Sequence, residues 1–319
     1  MKNVLIKTFG ACLSFIIFLC TGITGSAQTA GDNSAAVIGG WDITIYDNGK
    51  EYPSWLMVQR SGTSTLIGEF VGTGGSARPV SKVNFSNNKL SFSIPPQWEQ
   101  GSNDLSVEAE LNADTLAGKI TMPNGKAMSF GAVRAPALTA TATPSWQKPI
   151  TLFNSKDLSG WHAIGRTNQW VVNNGVLQSP HSGANLVTDQ TFKDFKLHIE
   201  FRYPEGSNSG VYLRGRYEVQ IEASNGNEPY KNVFSAIYGF VEPTEIAAKQ
   251  PGEWQSYDIT LVGRMVTVVA NGKTVICNRE IPGITGGALN SREGEPGPIL
   301  LQGDHGPIEY RNIVITPAK

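Results

Sequence analysis

The stretch that decides the fold is FRYPEGSNSGVYLRGRYEVQIE, which runs from Phe201 to Glu222 and reads as two strands joined by turns. Side chains of a strand alternate between its two faces, so the last six residues separate into an apolar set and a polar set. The apolar set is Tyr217, Val219 and Ile221, and the polar set is Glu218, Gln220 and Glu222. The first set belongs to a core, and the second forms either the solvated face of an antiparallel sheet or a binding face.

The first residues of the chain are typical of a secretory signal peptide. Lys2 and Lys7 precede an apolar run near residues 11–20, and small residues follow up to Ala27. The apolar run is too short to span a membrane, so we expect cleavage after Ala27 and no transmembrane segment in the mature chain. Cys20 suggests a lipid anchor as an alternative, but Leu19 is not the small residue expected before such a cysteine. The sequence therefore predicts an exported protein, periplasmic or extracellular, with residues 1–27 removed.

Cysteine content and charge exclude two classes of protein. Two of the 3 cysteines lie in the predicted signal peptide, so Cys277 has no intramolecular partner and a disulfide scaffold is excluded. Its apolar neighbours predict a small core residue at this position. The chain has 26 basic and 27 acidic residues, and removal of Lys2 and Lys7 leaves 24 basic residues. Because no basic patch is visible, we expect no nucleic-acid partner.

The rest of the chain predicts an all-β protein in two parts. It contains 35 glycines and 18 prolines and almost no helical periodicity. A Pro, Ala and Thr-rich stretch at residues 135–148 is typical of a linker. We therefore predict a small accessory β domain over residues 35–134 and a larger domain over residues 149–319. About a dozen strands without crossover helices indicate that the larger domain consists of antiparallel sheets packed as a sandwich or jelly roll.

The small domain carries short alternating segments with turn signals at hairpin spacing, which predict an up-and-down barrel or a sandwich. Trp41 near its start and Arg134 near its end resemble the lipocalin-like pattern, in which a Trp packs under an Arg. The segment GTGGSARPVSKV, residues 72–83, contains three glycines. It is either an ordinary glycine-rich turn or a loop that leans toward the larger domain.

Polar side chains recur in the same phase along the larger domain. They are Lys196, His198, Glu200 and Arg202, then Tyr212 and Arg214, and near the C-terminus Gln302, His305, Glu309 and Arg311. If these strands are neighbours in one sheet, their polar faces form a continuous concave floor. Such a floor suits a sugar, because the sugar hydroxyls form hydrogen bonds with these groups. No metal-ligand spacing, phosphate-binding glycine loop or nucleophile elbow is visible, so we predict no metal and no cofactor.

Several motifs follow one another through the larger domain. They are LFNSKDLSGW (152–161), WVVNNGVL (170–177), DFKLHIEFR (194–202), GSNSGVYLRGRYEVQI (206–221), IYG (237–239), GEWQSYDITLVG (252–263), NGK (271–273) and LLQGDHGPIEYRNI (300–313). Together they resemble the 3-keto-disaccharide hydrolase family of secreted bacterial proteins. The resemblance covers essentially the whole larger domain, and the order of the motifs makes it specific.

The resemblance implies a concanavalin-like jelly roll that acts on glycosides already oxidised at C3 by a separate sugar dehydrogenase. A C3 ketone acidifies the C2 hydrogen, so a base can remove it and the C1 aglycone then leaves by β-elimination. Addition of water to the resulting glycal completes a net hydrolysis. This route needs a base with a pKa near neutral, an acid for the leaving oxygen and groups that stabilise the enolate. The expected partner is therefore an oxidised, 3-keto glycoside substrate.

Position and chemistry nominate residues for these roles. His305 is the candidate base or acid, since its charge changes near neutral pH. Glu218 either orients the histidine, exchanges a proton itself or pairs with an arginine, and Glu200 is a reserve acid or base. Arg214 and Arg311 either bind the C3 oxygen and the enolate or form structural salt bridges. The side chains expected to bind hydroxyl groups are Gln220, Gln302 and Tyr238.

Two other functions stay open at this point. A polar concave sheet is also typical of a carbohydrate-binding module, in which the same residues bind a sugar without cleaving it. An ordinary retaining or inverting glycosidase is the third interpretation. It requires two carboxyl groups that flank a cleft and predicts activity on unoxidised sugars.

Overall fold

The computed structural model describes residues 33–139, 143–224 and 228–319. Over these ranges the chain consists of strands, turns and loops, with a single 3-10 helix at Asn33–Ala36. The predicted all-β class is therefore confirmed. The predicted signal peptide, residues 1–27, lies outside the described residues. In the part that is described, no helix has the length and apolar character needed to cross a membrane.

The first eight strands of the described chain form a closed barrel. Each strand pairs antiparallel with the next, and β1 pairs with β8 to close the ring. This is the up-and-down barrel, one of the two architectures that the turn spacing predicts. Its strands are β1 Gly39–Asp47, β2 Lys50–Ser61, β3 Thr65–Val71, β4 Arg78–Ser86, β5 Lys89–Ile94, β6 Leu105–Asn112, β7 Thr115–Thr121 and β8 Ala127–Arg134.

Trp41 and Arg134 link the first and last strands of the barrel. They are direct partners in the β1–β8 register, and the Arg134 guanidinium carbon lies 3.9 Å from the centroid of the Trp41 ring. Trp41 Nε1 donates to the Val37 carbonyl oxygen at 3.0 Å, and Arg134 Nη1 donates to the Ile38 carbonyl oxygen at 2.8 Å. The cation–π contact between Arg134 and Trp41 and these two hydrogen bonds thus hold the segment that precedes β1 against the barrel.

The remaining described strands form two antiparallel sheets in a sandwich-like arrangement. The five-stranded sheet has the order β10, β13, β20, β15, β16, and the eight-stranded sheet has the order β11, β12, β21, β14, β17, β18, β19, with β9 paired to β21. The strands are β9 Ile150–Thr151, β10 Trp161–Ile164, β11 Val171–Asn173, β12 Val176–Ser179, β13 Asn185–Thr188, β14 Phe195–Arg202, β15 Asn208–Leu213, β16 Tyr217–Glu222, β17 Gln255–Val262, β18 Met265–Ala270, β19 Lys273–Glu280, β20 Leu300–Leu301 and β21 Ile308–Pro317.

The barrel and the two sheets share buried surface. Trp55 on β2 is fully buried, and its ring meets the Phe240 ring edge-on with the centroids 5.3 Å apart. Trp55 belongs to the hydrophobic core of the two sheets, whereas its neighbour Leu56 belongs to the core of the barrel. Residues Ser34–Lys319 accordingly form one compact unit. The predicted division into two domains joined by a linker at residues 135–148 stays a prediction.

The polar strands do not form the continuous floor that the sequence predicts. Strand β14 lies in the eight-stranded sheet, whereas β15 and β16 lie in the five-stranded sheet. The apolar residues of β14 are buried in the core, and its polar residues are exposed or half-buried and pair with neighbouring strands. The prediction fails because alternation identifies which side chains leave a core, but it does not identify the sheet to which a strand belongs.

Cys277 is exposed, contrary to the core position predicted for it. The register between β18 and β19 shifts where Ile276 pairs with Val268 and Thr274 pairs with Val269. Val275 and Ile276 are consequently both buried, and Cys277 points outward. An irregularity of this kind breaks the period-2 pattern on which the prediction depends.

We expect the Trp55→Ala substitution to lower the free energy of unfolding by about 3–5 kcal/mol, because it leaves a large cavity where the barrel meets the sheets. Urea unfolding followed by circular dichroism measures this loss. Tyr46→Ala, which removes a 46% exposed aromatic side chain of β1, serves as the control and should change stability by less than about 0.5 kcal/mol. Equal effects of the two substitutions would show that Trp55 does not hold the two parts together.

Candidate active site

A cavity of about 520 Å³ lies between the five-stranded sheet and two loops of the barrel. Its volume is within the range of small-molecule sites. The sheet and its loops supply most of the described lining residues, and the barrel supplies the others. The lining residues are Gly74, Gly75, Gln97, Trp98, Asn208, Tyr212, Glu218, Gln220, Tyr238, Gly286, Gly287, Gln302 and His305.

Glu218 lies in the middle of β16, a strand that is buried on both faces. Tyr217 and Val219 project into the hydrophobic core, and the Glu218 carboxyl group projects into the cavity with 3% of the residue exposed. The space for this carboxyl group comes from Gly210 on β15, where a Cβ atom would lie only 2.3 Å from Glu218 Oε1. A glycine at this position is therefore required for the observed placement of the carboxyl group.

Tyr212 is the direct partner of Glu218 in the β15–β16 register. Its hydroxyl oxygen lies 2.8 Å from Glu218 Oε2 and 3.0 Å from the Gly286 carbonyl oxygen. A phenol has a single hydrogen to donate, so it can satisfy only one of these two acceptors. When Tyr212 donates to Gly286, the contact with Glu218 becomes a hydrogen bond only if Glu218 carries a proton. The geometry therefore fits a neutral Glu218 that donates to Tyr212 and also an ionised Glu218 that accepts from Tyr212.

The burial of Glu218 decides between these two protonation states. Burial raises the pKa of Glu218 from its ordinary value of 4.5 to about 8, against the lowering effects of the Tyr212 hydrogen bond and of nearby His305. A carboxyl group enclosed by protein keeps its proton because the charged form is poorly solvated there. Glu218 is therefore mostly protonated at neutral pH and is able to donate a proton.

His305 lines the cavity and forms a hydrogen-bonded pair with Asp304. His305 Nδ1 lies 2.7 Å from Asp304 Oδ1. This hydrogen bond is the main cause that raises the pKa of His305, while partial burial opposes it and the charges of Asp304 and Glu218 add to it. Burial alone would raise the pKa of Asp304, but the hydrogen bond and the charge of His305 lower it overall. An ionised Asp304 accepts the Nδ1 proton, which leaves Nε2 of the neutral ring as a free acceptor.

Three further predicted residues line the same cavity. The amide oxygen of Gln302, Oε1, is buried and has no hydrogen-bond partner among the described residues. Gln220 is buried, and its main chain bonds to Ala236 and Ser235. Tyr238 is half-buried, and burial followed by the charges of Glu218 and Glu222 raises the pKa of its hydroxyl group. These groups give the cavity neutral donors and acceptors of the kind that bind sugar hydroxyls.

Three other predicted residues lie elsewhere. Glu200 on β14 accepts from Arg311 Nε at 2.5 Å and from Asn312 Nδ2 at 2.9 Å, at the outer face of the eight-stranded sheet. Arg214 follows β15, is buried, and donates to the Gly263 carbonyl oxygen and to the Tyr217 hydroxyl group. None of Glu200, Arg214 and Arg311 is among the described residues that line the cavity. Their roles in binding or catalysis stay predictions.

Sequence reasoning missed the remaining polar and aromatic residues of the site. Tyr212 falls on the predicted polar face, but only the hairpin register pairs it with Glu218. Asp304 is adjacent to His305 in the chain, so adjacency alone is enough to nominate it. Gln97 and Trp98 belong to the barrel, and nothing in the local pattern connects them with residues more than one hundred positions away. Among the described residues, no group of three or more His, Cys, Asp or Glu side chains is placed to hold a metal ion.

The fold and the cavity define a β-sandwich protein with a polar, sugar-sized site whose described lining contains a carboxylic acid and a histidine. The sequence profile described as the 3-keto-alpha-glucoside-1,2-lyase-like domain matches residues 148–316, which is just over half of the chain. The chain belongs to this family, and the resemblance found in the sequence is thereby confirmed.

The chain is also similar to individual proteins. A 3-keto-disaccharide hydrolase of Bacteroides thetaiotaomicron is 26% identical over 97 residues, which are 27% of this chain and 33% of that protein. The match thus spans about a third of the length of this curated relative. The crystal structure of a candidate glycosyl hydrolase from Parabacteroides distasonis is 30% identical with a TM-score of 0.46 and covers 57% of this chain and 93% of that chain. A second such structure from the same organism is 26% identical with a TM-score of 0.43 and covers 53% and 98%.

The protonation of Glu218 predicts a pH dependence of stability. The unfolded carboxyl group ionises near 4.5 and the folded one near 8, so between these values only the folded state holds the proton. The contribution of Glu218 to the free energy of unfolding is complete below pH 4.5 and is lost as the pH rises to about 8. We therefore expect the wild-type protein to lose stability from pH 5 to pH 9 relative to Glu218→Gln, as measured by urea unfolding.

Asp42 does not disturb this comparison. Burial, followed by the charge of Glu293, raises the pKa of Asp42 to about 8 as well. Asp42 therefore lowers the free energy of unfolding with rising pH in both wild type and Glu218→Gln. The difference between wild type and Glu218→Gln isolates Glu218. If this difference is the same at pH 5 and at pH 9, Glu218 is ionised in the folded protein and the interpretation of a neutral carboxyl group is wrong.

Proposed function

We propose that the protein cleaves 3-keto glycosides by removal of the C2 proton and β-elimination of the C1 aglycone, with net hydrolysis after water adds to the product. The observation that carries the proposal is the presence in one sugar-sized cavity of a buried carboxyl group, Glu218, whose pKa is raised to about 8, and of His305, whose ring is hydrogen-bonded to Asp304. Membership of the 3-keto-alpha-glucoside-1,2-lyase-like family supports the substrate class.

In this proposal His305 is the general base. Asp304 holds the Nδ1 proton, and the free Nε2 lone pair removes the proton from C2 of the sugar. The ketone at C3 makes that proton acidic, so a base whose pKa lies near the working pH is sufficient. The exposed position of His305 allows the abstracted proton to pass on to water.

Glu218 is the general acid of the proposed mechanism. Its proton is available below about pH 8, and its Oε1 atom faces the space over Gly210. Donation of this proton to the glycosidic oxygen lets the aglycone leave as a neutral alcohol. Transfer from a buried group is effective because no competing water layer surrounds the carboxyl group.

Neutral donors would stabilise the enolate oxygen at C3. Tyr238 keeps its hydroxyl proton because its pKa is raised, so it can donate a hydrogen bond to that oxygen. The Gln302 amide is buried without a partner for Oε1 among the described residues, and rotation of the amide presents its NH₂ group instead. Arg214 and Arg311 have no part in the proposal, because neither lines the cavity in the described structure.

The number of carboxylic acids in the described lining of the cavity favours elimination over ordinary glycoside hydrolysis. A retaining or inverting glycosidase places two carboxyl groups about 5–9.5 Å apart across the scissile bond. Among the described lining residues, Glu218 is the only carboxylic acid. Elimination requires one acid and one base of any type, and Glu218 and His305 supply these.

The proposal extends to the context of the reaction. The route starts from a ketone, so a separate sugar dehydrogenase that oxidises C3 is expected to supply the substrate. The N-terminal segment, residues 1–27, predicts export to the periplasm or the extracellular space. We also infer that the two-sheet sandwich is a concanavalin-like jelly roll, in agreement with the resemblance of its motifs.

We expect the protein to release the aglycone from a 3-keto-glucoside and not from its unoxidised parent. His305→Ala should lose both C2 hydrogen–deuterium exchange and release by about 10²- to 10⁴-fold, because the base acts first. Glu218→Gln should retain C2 exchange and lose release, with the smallest loss for an aglycone such as 4-nitrophenol that leaves without an acid. Nuclear magnetic resonance in deuterated water follows exchange and release together.

The matched control for the histidine is His162→Ala. His162 also pairs with an aspartate, Asp189, with Nδ1 and Oδ1 2.6 Å apart, but it is exposed and lies outside the cavity. Its loss should leave exchange and release unchanged. Release from the unoxidised parent would instead indicate an ordinary glycosidase, and binding of the keto sugar without release would indicate a carbohydrate-binding module.

The pH profile of kcat/KM should be bell-shaped. Activity falls at low pH as His305 gains a proton, and it falls above about pH 8 as Glu218 loses one. Asp304→Asn removes the main cause of the raised pKa of His305 and only a minor cause of the raised pKa of Glu218, so the acid limb should move to lower pH by more than the alkaline limb does. An acid limb that does not move in Asp304→Asn would show that a different group is the base.

A further inference from the structure

Two loops of the barrel form one wall of the cavity, although the matched family region begins only at residue 148. The β3–β4 loop, residues 72–77, contributes Gly74 and Gly75, and the β5–β6 loop, residues 95–104, contributes Gln97 and Trp98. The glycine-rich segment singled out in the sequence therefore does lean toward the two sheets.

Trp98 presents a large apolar surface to the cavity. Its residue is 54% exposed, which is unusual for an aromatic side chain of this size. Trp98 Nε1 donates to the Gly74 carbonyl oxygen at 3.3 Å, so one edge of the indole ring is held by the neighbouring loop. At Gly75, whose φ is +78°, a Cβ atom would lie 2.5 Å from Nε1. The ring therefore rests directly on glycine backbone.

A buried ion pair fixes the loop that carries Trp98. Arg78 Nη2 donates to Glu99 Oε1 at 2.8 Å, and the two side chains are almost completely buried. Glu99 Oε2 also accepts from the main-chain nitrogen atoms of Gln97 and Trp98, at 2.8 and 3.2 Å. Gln97 Nε2 donates to Ser76 Oγ at 2.7 Å and joins the two loops. This arrangement holds the indole ring in place before any ligand binds.

A short series of contacts connects the Trp98 wall with the reacting groups. Gly75 packs against Gly286, where a Cβ atom would lie 2.0 Å from the Gly75 carbonyl oxygen. The Gly286 carbonyl oxygen lies 3.0 Å from the Tyr212 hydroxyl group, and Tyr212 contacts Glu218. The indole ring is therefore on the side of the cavity where Glu218, the proposed acid, meets the leaving group.

We propose that Trp98 is the binding platform for the leaving group, and that the barrel thereby selects glycosides whose aglycone contains a ring with an apolar face. This inference rests on the proposed function. A pyranose ring of a disaccharide and an aromatic aglycone share this chemistry, because both present a flat apolar face to an indole ring. A small alkyl aglycone such as methyl does not reach the platform.

The test compares Trp98→Ala with wild type on three 3-keto-glucosides that carry a glucosyl, a phenyl or a methyl leaving group. We expect KM to rise by about 3- to 10-fold for a ring-bearing substrate, which is the size of one aromatic stacking contact. KM for the methyl glucoside should not change. Trp98→Phe should retain most of the affinity, and Tyr46→Ala, on the barrel but outside the cavity lining, should behave like wild type.

The glucosyl and phenyl arms identify which kind of ring the platform accepts. An equal loss for methyl and ring-bearing substrates would overturn the inference, because Trp98 would then support the site as a whole. No loss for any substrate would overturn it as well.

Calorimetric titration with the unoxidised parent glycosides provides a second readout that needs no turnover. Suppose that the wild-type protein cleaves no 3-keto-glucoside while the Trp98→Ala variant binds ring-bearing glycosides more weakly than wild type does. In that case the proposed function is wrong and the platform is supported. If wild type cleaves 3-keto-glucosides and the Trp98→Ala variant binds every ring-bearing glycoside as tightly as wild type does, the proposed function is supported and the platform is wrong. If wild type neither cleaves the 3-keto-glucosides nor binds any of the parent glycosides, both the proposed function and the platform are refuted.

Discussion

Burial of β16 on both faces obliges its polar side chains to find partners away from bulk water. One face packs in the core of the two sheets and needs only apolar residues. The other face carries Glu218 and Gln220, and its neighbour β15 provides the Tyr212 hydroxyl group and the open space at Gly210. The Glu218 carboxyl group occupies the space left by that glycine and lines the cavity, so the packing of one strand and the formation of the site have the same origin.

The barrel contributes both to the apolar core of the two sheets and to the cavity on the polar face of β16. Trp55 on β2 fills the core of the sheets, while the loops at residues 72–77 and 95–104 close the polar side of β16. Rigid loops are needed there, since a wall that moved would let water solvate Glu218 and lower its pKa toward the ordinary value. The packing of the two barrel loops against the sheets and the pKa of Glu218 are therefore coupled.

The sequence is sufficient to predict the strands and the polar residues of β16 and to limit the first part of the chain to a barrel or a sandwich, because alternation is a local property of the chain. The same alternation on β14 led to Glu200, which lies on the outer face of the other sheet. The two patterns are indistinguishable locally and differ only in what covers them. Trp98 was not predictable, because its place in the cavity depends on how the barrel contacts the sheets and no residue near it encodes that contact. His305 was nominated from a motif, and its partner Asp304 required only adjacency.

The contrast between the two titratable groups has a chemical consequence for the proposed mechanism. Glu218 is enclosed, and its pKa is raised to about 8 mainly by burial, whereas His305 is exposed, and its pKa is raised mainly by a hydrogen bond from its ring to Asp304. A base in contact with water exchanges its proton rapidly, so removal of the C2 proton becomes reversible and visible as isotope exchange. An enclosed acid keeps its proton for the leaving oxygen. Different environments thus assign different tasks to the two groups, because the fold encloses Glu218 within β16 and leaves His305 exposed in the loop between β20 and β21.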